Sequence, residues 1–247
     1  MKLAIHPDKE SASRAVAAEA ARLIRRSIEE RGAANVLFAT GASQVMILAR
    51  LRAEPLDWSR VTGFHLDEYM GLTAGHPATF RRYLTDHLTA HVPLSAFHFI
   101  DPEADPDEEC RRLAALLERH PIDLAFAGIG ENGHLAFNEP PADFTTRRPF
   151  LVVDLAEKSR RQQLEQGFFP TLDEVPRRAI TMSIPQICES RAILCSAFGR
   201  RKAAAVEQVV DGPVRPEVPA SILQRHPDAT LHLDEAAAER LVRIGSY

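Results

Sequence analysis

Apolar residues follow two different periods along the chain, and segments of the two kinds alternate. Between Lys9 and Glu30 the apolar residues lie on one face of a predicted helix, which Gly32 ends. A short apolar run, 36–39, predicts a buried strand, and the next helix is predicted from about Gln44. Further strands are predicted at 61–65, 96–100, 123–127, 179–182, 192–196 and 230–233, and further helices at 79–88, 105–120, 201–210 and 235–243.

This alternation predicts an α/β protein with a parallel sheet and helices on both faces. In such sheets, ligands bind beyond the carboxyl ends of the strands. Polar clusters follow three of the predicted strands, at residues 40–43, 67–68 and 128–134. Because these strand ends meet at one edge of the sheet, we predict a single active site there.

The stretch from Pro140 to Pro176 does not fit the alternation. It contains five prolines and a polar, basic predicted helix at 155–166. A helix with so few apolar residues is weakly held by packing. We therefore predict one domain, residues 1–247, with a lid segment at about 140–176. A fixed, solvated surface helix is the alternative.

Composition narrows the range of partners and compartments. The net charge is −4 and no run of Lys or Arg exceeds three residues, so we expect no nucleic-acid partner. The three cysteines form no CxxC pair, which favours a reducing compartment. We see neither a signal peptide nor an apolar run near the roughly 20 residues of a membrane span. We therefore expect a cytoplasmic protein without a membrane partner.

The cluster Thr40-Gly41-Ala42-Ser43 lies between a predicted strand and a predicted helix. Backbone N–H groups, two hydroxyls and the helix N-terminus would together bind a phosphate there. No GK[ST] follows, so the cluster is not a Walker loop. The alternative is an ordinary helix start that is capped by Ser or Thr.

Asp67 and Glu68 follow the predicted strand 61–65. Adjacent strand residues point to opposite faces, so the two acids cannot share one role. We expect one of them to face the crevice as a base and the other to hold a loop together. A solvated pair of acids at a strand end is the alternative.

His134 and Glu139 belong to a second polar cluster, which begins with three glycines in six residues, 128–133. That many glycines indicate close backbone approach or positive φ angles. A His with a carboxylate partner can act as a general acid and base, although a lone His is more often structural. A metal site at His65, Asp67 and His134 is the competing interpretation. No HExxH or similar spacing supports it, so we expect no metal.

Two longer motifs carry a family resemblance. Residues 64–72, Phe-His-Leu-Asp-Glu-Tyr-Met-Gly-Leu, and 128–140, Gly-Ile-Gly-Glu-Asn-Gly-His-Leu-Ala-Phe-Asn-Glu-Pro, resemble the glucosamine-6-phosphate deaminase family. That family also contains 6-phosphogluconolactonases and has a modified Rossmann-like fold. The resemblance runs from about Val36 to Leu233. Residues 67–69 and 138–140 match the deaminase branch more closely than the lactonases.

The resemblance implies an aldose–ketose isomerising deaminase that uses neither a metal nor an organic cofactor. Its substrate would be glucosamine 6-phosphate, converted to fructose 6-phosphate and ammonia. By position, Asp67 resembles the base that moves a proton between C2 and C1. His134 resembles the residue that opens the sugar ring, with Glu139 as its partner and Asn132 in the same catalytic motif.

The resemblance also implies where the substrate binds. The phosphate-binding residues expected from it are Thr40, Gly41, Ala42, Ser43 and Lys202. Other parts of the substrate are expected to contact Glu68, Gly130 and Gly133.

The chain departs from the family pattern in several places. Asn132 stands where the family often has Asp, and residues 42 and 44 also differ from the usual phosphate loop. Many deaminases have a phosphate-binding Arg before a Phe-Phe pair, but here Gly167 precedes that pair. Arg160 and Arg161 are the predicted substitutes on the lid.

Two alternative functions stay open. One is a related sugar-phosphate isomerase or a 6-phosphogluconolactonase. The other is a sugar-phosphate-binding regulator without catalysis, which Asn132 and the missing lid Arg favour. The expected partner is a small phosphorylated sugar, and the sequence leaves a homo-oligomer open.

Overall fold

The computed structural model describes residues 1–73, 75–165, 167 and 169–242, with all their side chains except those of Lys158 and Gln162. The strands are β1 (Lys2–His6), β2 (Ala34–Phe38), β3 (Val61–His65), β4 (Asp67–Tyr69), β5 (Ala96–His98), β6 (Leu124–Gly128), β7 (Phe150–Asp154), β8 (Arg178–Met182), β9 (Ala192–Ala197) and β10 (Ala229–Asp234). The α-helices are α1 (Lys9–Arg31), α2 (Gln44–Arg52), α3 (Phe80–Leu84), α4 (Pro106–Arg119), α5 (Glu157–Glu165), α6 (Ile184–Cys188), α7 (Ala203–Val210) and α8 (Glu235–Ala238).

Seven of the described strands form a parallel sheet in the order β1-β10-β9-β6-β2-β3-β5. Its inner strands are covered on both faces: every residue of β9 and β10 is buried. The rings of Phe38 on β2 and Phe126 on β6 stack with centroids 5.5 Å apart. Burial on both faces explains why these strands are continuous apolar runs in the sequence. The predicted α/β class, a parallel sheet flanked by helices, is confirmed.

The strand order changes direction between β2 and β6, which are neighbours in the sheet. The chain adds β3 and β5 on one side of β2, and β9 and β10 on the far side of β6. Loops that leave two such neighbours diverge, and a crevice opens between them. The loops after β2 and β6 contain residues 40–43 and 129–134, so the topology places both polar clusters at the crevice.

The edge strand β1 was not predicted from the sequence. It pairs with β10, with Leu3 opposite Leu231. Leu3 and Ile5 are each 37% exposed, so this strand lacks the continuous apolar run that identified the inner strands. The last predicted helix, 235–243, is shorter than expected: α8 ends at Ala238, and residue 243 lies outside the described residues.

A second, antiparallel sheet has the order β4-β8-β7 and was also not predicted. Its strand β7 lies inside the segment that the sequence assigned to a lid. Phe150, at the start of β7, is buried in the main hydrophobic core. The segment 140–176 is therefore in part a fixed excursion from the main sheet, and α5 lies later in the same segment.

Helix α1 begins and ends at the signals that its sequence contains. The Asp8 carboxylate accepts a hydrogen bond from the Ser11 N–H, and Gly32 ends the helix at a φ of 79°. Within the described residues, no helix is both long enough and apolar enough to cross a membrane.

Strands β3 and β5 approach closely at Gly63, where a Cβ atom would lie 2.3 Å from Cδ2 of Phe97. We expect Gly63→Ala to destabilise the protein by about 1–3 kcal/mol, because the added methyl group forces the Phe97 ring to move. Thermal unfolding measures the effect. The double variant Gly63→Ala/Phe97→Leu should recover part of the loss. A single variant that unfolds at the wild-type temperature would contradict this packing.

Candidate active site

A cavity of about 770 Å³ opens at the carboxyl ends of the parallel strands. It brings together side chains and loops that are far apart in sequence. Among the residues lining it are Lys9, Thr40, Gly41, Ala42, Ser43, Asp67, Tyr83, Gly130, Glu131, His134, Ser196, Arg201, Lys202 and Asp234. The predicted clusters after β2, β3 and β6 therefore share one site.

Asp67 lies in this cavity wall at the first position of β4. Its side chain is almost fully buried, and among the described residues no hydrogen-bond donor reaches its carboxylate. Burial, reinforced by the neighbouring Glu68 carboxylate, raises the pKa of Asp67 to about 8. A carboxyl group in this environment can take up or release a proton near neutral pH.

Glu68 points away from the cavity and is fully buried. Its carboxylate accepts hydrogen bonds from the backbone N–H groups of Tyr69 at 2.9 Å, Phe80 at 3.1 Å and Arg81 at 2.7 Å. Burial raises the pKa of Glu68 to about 7, although these hydrogen bonds oppose the rise. Glu68 thus fixes the start of α3 to β4. Its carboxylate oxygens face backbone N–H groups rather than the cavity, so the expected substrate contact of Glu68 is corrected.

His134 lines the cavity from the loop after β6. Its Nδ1 lies 3.8 Å from Oε2 of Glu139, beyond hydrogen-bond length. Gly130 lets the imidazole approach the backbone, since a Cβ on Gly130 would lie 2.3 Å from the ring. The glycine-rich sequence thus serves a close approach, as predicted. The expected substrate role of Gly133 has no such support, because Gly133 faces Val218 rather than the cavity.

Glu139 lies behind His134 and is held by two further side chains. Asn132 Nδ2 donates to Glu139 Oε2 at 2.7 Å, and the Ser159 hydroxyl, on α5, donates to Oε1. Burial alone would raise the pKa of Glu139, but His134, Ser159 and Asn132 together lower it to about 2. Glu139 therefore stays a carboxylate that faces the imidazole. Asn132 and Glu139 do not line the cavity, so they can act only through His134.

The loop 40–43 has the features of an anion site. Gly41 has a φ of 99°, and Ser43 makes no side-chain cap on α2, which leaves the helix N-terminus open toward the cavity. This argues against the alternative of an ordinary capped helix start. Lys9 Nζ donates to the Ala42 carbonyl at 2.9 Å, and the Tyr83 hydroxyl donates to the Gly41 carbonyl at 2.9 Å. These two contacts, from side chains that also line the cavity, hold the loop in place.

The competing metal interpretation gains no support from this geometry. His65 is buried behind the cavity, and burial with the nearby Arg81 lowers its pKa to about 3. Among the residues that the structure describes, no group of three His, Cys, Asp or Glu side chains is placed to hold a metal ion.

The comparisons with known proteins agree with the motifs. A model of the glucosamine-6-phosphate isomerase/6-phosphogluconolactonase family matches residues 7–232. The chain belongs to this family.

Relatives within the family include named deaminases. A glucosamine-6-phosphate deaminase from Lactobacillus delbrueckii subsp. bulgaricus is 38% identical over 222 residues, 89% of this chain and 92% of the relative. A solved monomeric glucosamine-6-phosphate deaminase superposes with a TM-score of 0.87 at 32% identity, covering 97% of this chain and 99% of the other. A 6-phosphogluconolactonase from Thermotoga maritima shares the fold, with a TM-score of 0.76 at 17% identity over 94% of this chain and 99% of the other.

The structure does not bring the two predicted lid arginines to the cavity wall. Arg160 is buried, and its guanidinium donates to the carbonyls of Leu172 and Val175. Arg161 is exposed and pairs with Glu157 at 2.6 Å. Their expected role in phosphate binding is therefore corrected, because one guanidinium is used in packing and the other faces solvent.

Several residues that line the cavity were not predicted as site residues, including Lys9, Tyr83, Glu131, Ser196 and Arg201. Arg201 belongs to a run of three basic residues after β9, 200–202, which was the available signal. Lys9 offered no signal, because its proximity to loop 40–43 depends on how α1 packs.

Arg160 and Arg161 should differ in their effect on stability. Arg160→Ala removes the guanidinium donor from the buried Val175 carbonyl, whereas the Leu172 carbonyl keeps the hydrogen bond from the Val175 N–H. We therefore expect a loss of about 1–3 kcal/mol in the free energy of unfolding. Arg161→Ala removes only an exposed pair and should cost less than about 1 kcal/mol. Urea or thermal unfolding of the two single variants measures the difference. Equal stability of the variants would contradict the described packing of α5.

Proposed function

We propose that this protein is a glucosamine-6-phosphate deaminase, which converts glucosamine 6-phosphate and water to fructose 6-phosphate and ammonia. One observation carries the proposal: the buried carboxyl of Asp67 faces the same cavity as the Glu139-backed imidazole of His134. An isomerisation that moves a proton between adjacent carbons needs one such carboxyl group and one group that opens the ring. The named relatives support this choice of substrate.

The first step in the proposed reaction is ring opening. His134 donates a proton to the ring oxygen and accepts one from the C1 hydroxyl, so that the ring C1–O bond breaks and an open-chain aldehyde forms. Glu139, kept ionised by its three partners, faces the imidazole throughout. Asn132 can hold Glu139 by a hydrogen bond without carrying a charge itself.

The second step is the proton transfer. Asp67, as a carboxylate, removes the C2 proton and leaves an enolate that has its negative charge on the C1 oxygen and the amino group on C2. The protonated Asp67 then returns the proton to C1, a proton passes from the amino nitrogen to the C1 oxygen, and C2 becomes an imine. Water adds to the imine carbon, ammonia leaves, and the ketose remains. The low polarity around Asp67 favours its neutral form and so makes the carboxylate a stronger base.

We further propose that loop 40–43 and Lys202 bind the phosphate of this substrate. The open N-terminus of α2 supports the loop assignment, and the lining position of Lys202 supports the other. That the remainder of the segment 140–176, with α5, acts as a lid stays a prediction. All three cysteines are free thiols, which supports a cytoplasmic location.

An activity assay tests the proposal directly. With glucosamine 6-phosphate, we expect ammonia and fructose 6-phosphate in equal amounts, and no hydrolysis of 6-phosphogluconolactone. Lactone hydrolysis without ammonia release would replace the proposal by the lactonase alternative. Binding of the sugar phosphate without turnover would replace it by the regulator.

Asp67→Asn is the matched control, because it keeps the shape of the side chain and removes the base. We expect a loss of about 10²–10⁴ in rate. Since only the carboxylate is a base, kcat/KM of the wild type should rise with pH up to about 8.

The raised pKa of Asp67 also affects stability. It lowers the free energy of unfolding at pH values above 3.8, the ordinary pKa of the group, and this loss is complete above about pH 8. At pH 9, Asp67→Asn should therefore unfold at no lower temperature than the wild type.

His134→Gln should slow only the part of the reaction that precedes the open chain. We expect kcat/KM to fall at least tenfold for glucosamine 6-phosphate. The fall should be much smaller for an analogue without the 5-hydroxyl, which cannot form the pyranose ring. Steady-state kinetics on the two sugars measures the ratio. Equal losses on both would remove His134 from ring opening.

A further inference from the structure

The cations that line the cavity determine how a phosphate can be held there. Among the described residues, the Lys and Arg side chains in the cavity wall are Lys9, Arg201 and Lys202. A phosphate monoester that leaves water needs cationic or N–H partners to offset its lost hydration. The three side chains differ in the hydrogen bonds and charge neighbours that they already have.

Lys9 and Lys202 each already interact with another group of the protein. Lys9 Nζ donates to the Ala42 carbonyl, so it holds the loop as well as facing the cavity. Burial lowers the pKa of Lys202, and the nearby Glu131 carboxylate acts in the opposite direction. Glu131 also lines the cavity, so its charge offsets that of Lys202 for any incoming anion.

Arg201 differs from both. It is exposed, and no carboxylate among the described residues pairs with it. It lies in the 3-10 turn Arg200–Lys202, whose start is fixed because the Gly199 N–H donates to Asp234 at 2.9 Å. Gly199 has a φ of 86°, which favours glycine at this corner.

The neighbouring Arg200 is turned the other way. Its Nε lies 3.0 Å from Oε2 of Glu239, which directly follows α8, and Arg200 does not line the cavity. The same turn therefore presents one arginine to the cavity rim and one to a carboxylate outside it. Only the first is available to a ligand.

We propose that Arg201 is a specificity-determining residue that binds the substrate phosphate from the cavity rim, together with the N–H groups of loop 40–43. This inference rests on the proposed function for the identity of the sugar, and on the cavity for the phosphate itself. A guanidinium stays charged at all working pH values and can bind two phosphate oxygens at once. It would supply the cationic contact that Arg160 and Arg161, facing elsewhere, do not supply.

The test compares Arg201→Gln with Arg200→Gln, a matched control one residue away. The first measurement uses inorganic phosphate as the probe and records the rise in unfolding temperature as phosphate is added, which requires no turnover. We expect Arg201→Gln to weaken phosphate binding about tenfold, equal to about 1.4 kcal/mol. Arg200→Gln should stay within about twofold of the wild type, and Arg201→Lys should keep part of the affinity.

The second measurement is the kinetics on glucosamine 6-phosphate. Arg201→Gln should raise KM about tenfold and change kcat by less than about threefold, because a phosphate contact is made equally in the ground and transition states. Unchanged phosphate affinity in Arg201→Gln, or an equal loss in Arg200→Gln, would overturn the inference. If phosphate binding weakens as expected but the wild type releases no ammonia, the inference holds and the proposed function fails.

Discussion

The adjacent carboxyl groups of Asp67 and Glu68 are removed from water at the point where the parallel sheet ends and the small antiparallel sheet begins. Both acids lie in a nonpolar environment, but they differ in the hydrogen-bond donors that reach them. Three backbone N–H groups stabilise Glu68, whereas none of the described donors reaches Asp67. One acid therefore fixes α3 in place, and the other keeps a raised pKa beside the cavity. The rest of the site is arranged around this carboxyl group.

Much of this arrangement could be predicted because parallel sheets impose it. Buried strands such as β2 and β6 leave continuous apolar runs in the sequence, and their polar endings must meet at one edge. The opposite directions of Asp67 and Glu68 followed from the period of a strand alone. The glycines before His134 likewise indicated a close approach, which Gly130 provides.

The remaining features depend on contacts that no local pattern records. The edge strand β1 lacks a continuous apolar run, and β7 pairs with a strand almost thirty residues later in the chain. Arg160 was assigned to a mobile surface because its helix is polar, yet its guanidinium is buried against two carbonyl groups. A sequence cannot distinguish an arginine that faces solvent from one that caps a buried turn. Lys9 reaches the cavity only because α1 packs beside β2.

The hydrogen bond from Ser159 to Glu139 joins two parts of the molecule that otherwise have separate tasks. Ser159 belongs to α5, and Glu139 stands directly behind the imidazole of His134. A shift of α5 would take a donor away from Glu139 and change the electric field at the imidazole. The position of α5 thus affects how readily the half-buried imidazole of His134 can donate a proton.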